Sequence, residues 1–572
     1  MSRFEPKKPS LCTSGPLLND TFRESLSVLH AIVKSCYGPF GRLKQLHNGI
    51  GGCVTTTSQS HALLSGFSVR HPAVKLIAAS ICNHISTFSD CGLFAANLCC
   101  NLIDQFTNLN ISPHTIIRLT KHILNLCITY LKSEDCACKM AVDFSNSKSL
   151  LSVAYSVVSS KPACMLTANE ANYISTLAVK AFLLTVPNDV GSSVTLGKSI
   201  IVPVEGEDVM GSSVVSGLLI EMSDYYLTRA LLSTQLTTKP LKVALFSISL
   251  SGDFCETGEG TLDVFDSVNP DIVMLDQLFA LGKQLVDDHV MLLLCQKVIH
   301  PALKQYLKEQ DVFAVDRLGA AVMEPLSQMT GAKPIASLSP VSSTCYGDLE
   351  NVSKLSYGFK HFLHLIPFDT SICSFVLCNR NETSLKELMR ACRAAEHVLQ
   401  MTLKYPWVLL GGGCSETHLA AFVRYKTSKV QSNCLEELNC SETDYKMVTN
   451  CFCLSLESVA RSLEHDGGNM LLDLEDGHSW SVSSEAFLDS QCFETGPHCG
   501  CGMLKRRDDL QWCVLGSQYQ TFNPQTRNQA HSVTQSDRLI FDCYPAKCNA
   551  LQVAVDTAGL ILDLSYVIED NN

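Results

Sequence analysis

Apolar residues recur from Phe22 through Leu26, Leu29, Val33 and Cys36, at i, i+4, i+7, i+11 and i+14, and this spacing predicts an amphipathic helix. Asn19 and Asp20 both suit its N-cap. The run stops at Tyr37-Gly38-Pro39-Phe40-Gly41, where proline lacks a donor and glycine permits the turn. Val54 to Thr57 is β-prone, and from about His71 to Ile103 long apolar-rich stretches predict buried helices broken at Ser89-Asp90-Cys91-Gly92. More helical pattern continues to about Leu131. From about Ile200 the texture changes to short strands between helical pieces: Ser199 to Val204, Gly217 to Ile220, Lys242 to Leu250, Met291 to Cys295 and Val312 to Val315.

After about residue 370 a strand, Ser374 to Cys378, leads into a helix from Ser384 to Leu403, and helical texture runs on through Leu463 to Gly467. Residues 475–540 are polar and turn-rich and read as an extended loop or hairpin, and a last amphipathic helix carries Leu551, Ala554, Val555, Ala558, Ile561 and Leu562. The order is helical, mixed, α/β, mixed, helical. A domain inserted into an inserted domain produces this palindrome, because both chain ends then share one core. At 572 residues the chain has length for about three or four domains.

Composition narrows the function classes. The chain is 46% hydrophobic and 17% charged, which suits large buried cores and excludes wholesale disorder. Lys plus Arg is 44 against 56 for Asp plus Glu, a net charge of −12 with no dense basic block, so phosphate neutralisation on nucleic acid is not its business. The N-terminal residues carry no apolar leader and no run approaches a membrane span, so the expectation is a soluble intracellular protein without membrane insertion. There are 28 cysteines, no two of them three apart, and in a reducing compartment most should act as small buried hydrophobes. The densest group, Cys492, His498, Cys499, Cys501 and Cys513, offers soft ligands at irregular spacing.

Four stretches in order resemble the group II chaperonins, the family of the archaeal thermosome and the eukaryotic cytosolic chaperonin. Tyr37 to Lys44 resembles the family's glycine-proline phosphate loop, and Val54 to Leu64 followed by His71-Pro72 its Asn-Asp-Gly-Ala-Thr segment. Asp90 falls at the aspartate of Gly-Asp-Gly-Thr-Thr, and Leu409-Leu410-Gly411-Gly412-Gly413 with the closing Ile561 to Ile568 matches the glycine triplet and the final helix and strand. Leu43 to Gly49, Gly413 to Leu419 and Leu562 to Asp570 resemble most the divergent vertebrate branch tied to Bardet-Biedl syndrome.

The resemblance implies a multidomain α and α+β chain with nested domains: a helical equatorial domain from 1–147 and 405–572, a small intermediate domain from 148–199 and 371–404, and an α/β apical domain from 200–370. Residues 475–540 then form an insertion longer than the family's region, which either blocks ring contacts or supplies new ones. Gly38, Pro39, Gly41, Gly411, Gly412 and Gly413 would approach ATP phosphates, and Asp90 would hold Mg²⁺. The hydrolytic parts are degenerate. Ser89 and Cys91 replace glycines, Leu93 replaces a phosphate-binding hydroxyl, and Gln59 replaces an aspartate. Counting back from Gly411, the family's water-positioning aspartate is Ala394, and Glu396, about 200° further round the helix, points elsewhere. The expectation is therefore no catalytic residue, weak nucleotide binding and little or no hydrolysis.

Gly197-Lys198-Ser199 imitates the end of a phosphate loop, but Ser192 stands at its first glycine and the β-prone Ile200-Ile201-Val202 follows. A phosphotransferase using Lys198 and Ser199 is the rival this leaves. In the inserted domain, Leu303, Tyr306 and Leu307, and Val322, Leu326 and Met329, are core unless their face is exposed. Residues 252–266, at the family's lid protrusion, are acidic and glycine-bearing, against a long stable lid helix. By resemblance the partners are other Bardet-Biedl chaperonin-like proteins, cytosolic chaperonin subunits and subunits of the BBSome, the ciliary trafficking assembly. The implied location is cytosol, centrosome and ciliary base, with the nucleus also open. The alternatives are an ATP-dependent chaperone in a double ring and a monomeric adaptor.

Overall fold

In the computed structural model, the side chain of Asn19 accepts from the Thr21 amide at 2.9 Å and so caps the helix Asp20–Cys36. Phe22, Leu26, Leu29, Val33 and Cys36 are its buried face, as their spacing requires. The structure describes residues 11–15, 17, 19–47, 54–66, 71–187, 196–223, 240–252, 270–338, 340–369, 371–428, 432–482, 498–505, 511–516, 523–524 and 539–569. The expected lid segment beyond Gly252, Gly191, Ser192, Cys492 and most of the 475–540 insertion lie outside the described residues.

The chain forms two compact units, residues 1–179 with 386–572, and residues 180–385. The first is built on long helices: Pro72–Phe88, Gly92–Thr107, Pro113–Lys132, Cys414–Thr427, Glu442–Arg461 and Tyr544–Leu562. Its chain ends pair antiparallel, Leu11 opposite Glu569 and Ser14 opposite Tyr566, as a palindromic layout needs. A three-stranded antiparallel sheet sets the centre of this unit. The strand Trp407–Leu410 lies between Lys139–Ala141 and Phe541–Cys543, with Leu409 opposite both Lys139 and Asp542. The polar region read as one loop or hairpin contributes strands: Ser479–Val482 and Trp512–Val514 flank Asn469–Asp473. Their alternation was invisible because Leu472, Ser479 and Asp473 are all fully buried, so polar residues sit on the inner face.

The second unit carries a four-stranded sheet in the order Phe313–Val315, Leu292–Cys295, Leu241–Phe246, Gly347–Leu349, its first three strands parallel. Leu303 and Leu307 are fully buried in its core, as are Leu326 and, nearly, Met329, so these residues are core and offer no exposed binding face. Gly197-Lys198-Ser199 opens a strand, Lys198–Glu205, which pairs in parallel with Ile372–Asn379. The Lys198 ammonium meets Glu324 at 3.7 Å on the surface, and no helix follows to receive a phosphate. This is the geometry of a sheet strand, and it corrects the phosphate-loop alternative. Among the described residues no helix is long and apolar enough to cross a membrane.

His418 shows how the first unit handles a buried base. Its Nδ1 donates to the Asp476 carbonyl at 2.8 Å, so Nε2 accepts from the Tyr130 hydroxyl at 2.7 Å and the ring is neutral. Burial lowers its pKa to about 4. A folded pKa below the unfolded value means that the unfolded chain binds the proton better, so stability present above pH 6.5 is lost as pH falls toward 4. We expect the pH 7 to pH 5 loss of unfolding free energy to be about 2 kcal/mol smaller in His418→Gln than in the native chain, measured by urea titration.

Candidate functional site

Several turns of the first unit converge on a cavity of about 930 Å³. Its size is that of a nucleotide-scale ligand pocket. One wall is the turn after the first helix. Gly38 has φ +83°, and a Cβ on Gly41 would stand 2.3 Å from the Cys36 carbonyl oxygen, so glycine is required at both places. His465 donates from Nε2 to the Tyr37 carbonyl at 2.7 Å and fixes that turn against the end of the Glu442–Arg461 helix.

A second wall is the glycine triplet between the strand Trp407–Leu410 and the helix Cys414–Thr427. Gly412 and Gly413 have φ of +62° and +85°. Gly412 lies so close to the loop at Gly500 that a Cβ would meet the Gly500 oxygen at 2.1 Å, and a Cβ on Gly500 would meet the Gly412 oxygen at 2.2 Å. Two backbones touch here with no room for a side chain on either.

The third wall has a glycine-like shape built without glycines at Ser89 and Cys91. Ser89 and Cys91 have φ of +57° and +59°, the left-handed region that costs a residue with a Cβ about 1–2 kcal/mol. His84 donates to the Asp90 carbonyl at 2.9 Å, and Ser89 bonds His397 at 2.8 Å, which holds the bend. Asp90 and Leu93 both line the cavity. Gln59 also lines it, but its amide donates to the Glu387 carbonyl at 3.0 Å. On the Glu382–Lys404 helix, Arg390, Arg393 and Ala394 reach the cavity, while Glu396 is buried outside its lining. Lys161, at the end of the Ser147–Ser159 helix, adds a further cation to the wall.

The strongest electrostatic feature was not among the sequence candidates. Lys547, only 4% exposed, contacts Glu416 at 2.6 Å and Asp542 at 2.8 Å, and its ammonium lies 3.8 Å from the centre of the Phe94 ring. Burial works to lower the lysine pKa, but the two carboxylates outweigh it and raise it well above the usual value. Asp542 is held up at about 6 by burial, with Glu416 and Asp90 adding to the effect and Lys547 opposing it. The Tyr37 hydroxyl donates to Glu416 at 3.4 Å, and the other Glu416 oxygen is buried with no protein partner. Lys547 and Asp542 flank the start of the last helix, and only the sheet register, Asp542 opposite Leu409, carries them to the glycine triplet. Glu416 stood inside a family-like stretch, yet nothing in spacing says that a glutamate on a helix is buried.

The residues present fit a nucleotide in part. The orphaned Glu416 oxygen, the glycine-only backbone turns, Asp90 and the cations Lys161, Arg390 and Arg393 suit a polyphosphate with its cation. A carboxylate free to orient water is not supplied by these positions: Ala394 offers a methyl group, and Glu416 and Asp542 are paired to Lys547. Glu464, also in the wall, is occupied by Ser481 and by the amides of Asp466 and Gly468.

A helical unit interrupted by an α/β unit, with glycine turns from distant parts of the sequence meeting at one cavity, is the build of a chaperonin subunit. The TCP-1/cpn60 chaperonin family model matches residues 29–572, and the chain belongs to this family. It is 52% identical to molecular chaperone MKKS of Homo sapiens over 576 residues, covering 100% of both chains, and 51% identical to that of Mus musculus over 572 residues. A thermosome subunit alpha from Sulfurisphaera tokodaii is 24% identical over 412 residues, 69% of this chain and 71% of that protein.

Removing the lysine charge should expose the cost of the buried acids. Lys547→Met leaves Glu416 uncompensated at 1% exposure and is expected to lower stability by about 3–5 kcal/mol, read by chemical denaturation. Lys547→Met combined with Glu416→Gln should recover part of that loss, since of the two acids deprived of their cation only Asp542 then remains.

Proposed function

We propose that this chain is a chaperonin-like assembly factor, a scaffold of three nested domains that binds Mg-ATP weakly and hydrolyses it little or not at all. The observation that supports this reading is Ala394 in the cavity wall, with the nearby carboxylates Glu416 and Asp542 already paired to a buried lysine. A glycine-lined cradle can still take phosphates through backbone amides, and Asp90 would hold the cation. What a bound Mg²⁺ supplies is neutralisation of phosphate charge; orienting an attacking water falls to a carboxylate. The chain's own residues do the remaining work of binding: cations at Lys161, Arg390 and Arg393 attract the anion, and Ser89 and Cys91 narrow its seat by their Cβ atoms.

Membership of the family and full-length similarity to molecular chaperones favour a role on client polypeptides. We propose that it works in a complex with other Bardet-Biedl chaperonin-like proteins and cytosolic chaperonin subunits, that its clients are BBSome subunits during assembly, and that it acts in the cytosol and at the centrosome and ciliary base. Affinity isolation of the full chain from ciliated cells with mass determination should return chaperonin-like and BBSome subunits together; recovery of the chain alone would defeat the assembly role.

A second reading, an ATP-driven folding chaperone in a double ring, is favoured by one observation. Asp542 lies in the cavity, and a carboxylate there could take a proton from water if Lys547 released it. The readings separate on turnover. We expect purified protein to bind Mg-ATP weakly, to lose that binding in Asp90→Ala, and to show no ATP turnover above background; turnover abolished by Asp542→Asn would establish the second reading instead.

A further inference from the structure

Four side chains that the nucleotide cavity does not use meet beside it. Cys414, His478, Cys499 and Cys501 are all buried, and their ligand atoms lie within 4.8 Å of one another. The Cys499 and Cys501 sulfurs are 3.3 Å apart, and Cys501 Sγ is 3.4 Å from His478 Nδ1. Zinc holds sulfur at about 2.3 Å and imidazole nitrogen at about 2.0–2.1 Å, so a tetrahedron places its ligands about 3.5–3.8 Å from each other. Small movements of these side chains reach that figure, whereas a disulfide needs sulfurs at about 2.05 Å.

We propose that Cys414, His478, Cys499 and Cys501 form a closed structural zinc site. On binding, Zn²⁺ displaces the three thiol protons to solvent, His478 coordinates as neutral imidazole through Nδ1, and the site carries a net charge of −1 with no change of oxidation state. The four ligands come from three segments. Cys414 is the first residue of its helix, His478 precedes the strand Ser479–Val482, and Cys499 and Cys501 lie in a tight turn in which the Cys499 amide donates to the Leu504 carbonyl at 2.9 Å. The ligands have outer partners of the kind that tune a thiolate site. The Leu504 amide donates to Cys499 Sγ at 3.2 Å, the Ser479 hydroxyl lies 3.6 Å from Cys414 Sγ, and the Trp480 ring flanks His478. With four protein ligands and no exposed one, the site has no open position and is structural, not catalytic.

The grouping differs from the sequence expectation. Cys499 and Cys501 are shared with it, but Cys513 and His498 are not in the group, and Cys414 and His478 replace them. The chemistry also explains an otherwise costly contact. Gly500, between two ligands, donates its amide to the Ser479 carbonyl at 2.8 Å and is pressed against Gly412. A cation bound on either side of Gly500 clamps this loop to the glycine triplet, so the metal shapes one wall of the cavity without touching a ligand there.

The test uses full-length protein made in zinc-supplemented medium and purified under reductant, without chelator or a metal-affinity step. Elemental mass spectrometry should find one zinc per chain, one zinc again in Cys513→Ser, and loss of the zinc in the Cys499→Ser/Cys501→Ser double variant. Replacement of zinc by cobalt(II) should give thiolate-to-metal charge-transfer bands in the near ultraviolet and the visible bands of a tetrahedral site. If the double variant does not fold, the cobalt spectrum of the native chain decides alone. No stoichiometric metal after equilibration with zinc, zinc retained in the double variant, or a cobalt spectrum without thiolate bands would each overturn the proposal.

Discussion

Everything around the cavity depends on one buried ammonium. Lys547 sits between Glu416 and Asp542 with almost no access to water, and two charges of one sign and one of the other have been taken into a low-dielectric interior together. Such a cluster is costly to assemble, and replacing it with apolar groups is often neutral for stability, so its value lies in what it fixes. Here it ties the helix after the glycine triplet to the strand Phe541–Cys543 and to the last helix that directly follows it, more than a hundred residues further along the chain. The Phe94 ring closes over the ammonium from the helix that begins beside Asp90. One contact thus positions walls of the cavity that come from both ends of the chain.

The same arrangement limits the chemistry. A carboxylate already held by a cation polarises water poorly, and Glu416 and Asp542 are both held by Lys547. The frame has kept features that ligand binding needs, including backbone conformations that L-residues tolerate poorly at Ser89 and Cys91. Left-handed geometry at the non-glycine residues Ser89 and Cys91 implies that packing around the bend, through His84 and His397, sets its shape more strongly than the local residue preference. A glycine-turned cradle with a methyl group at Ala394 is the physical basis of the proposed scaffold that binds nucleotide more than it turns it over.

The fold was legible where periodicity could speak. The first helix, a cap at Asn19 or Asp20 of which the structure uses Asn19, the break at Ser89 to Gly92 and the short strands of the inserted unit follow from apolar spacing, proline and glycine, and the structure has them within a few residues. The strands Asn469–Asp473 and Ser479–Val482 were hidden, because buried polar residues such as Asp473 and Ser479 erase the alternation that marks a half-buried strand. Part of the site was legible as well. The family resemblance pointed to Gly38, Gly41, the triplet and Asp90 by motif and to Ala394 by counting back from Gly411, and of these Gly38, Gly412, Gly413, Asp90 and Ala394 line the cavity while Gly41 and Gly411 do not.

By itself the sequence determined which residues are available: the helices and turns, the glycines that let backbones approach, an alanine rather than an acid at 394, and thiols in excess. Tertiary structure decided which of them meet. Charge carries no mark of burial, so the roles of Lys547, Glu416 and Asp542 arise only when an antiparallel register sets Asp542 opposite Leu409. Sulfur ligands carry no mark of partnership either, and Cys414 joins Cys499 and Cys501 across more than eighty residues only because Gly412 and Gly500 allow two backbones to touch. Both outcomes rest on contacts distant in sequence, and local preference along a chain holds no information about those.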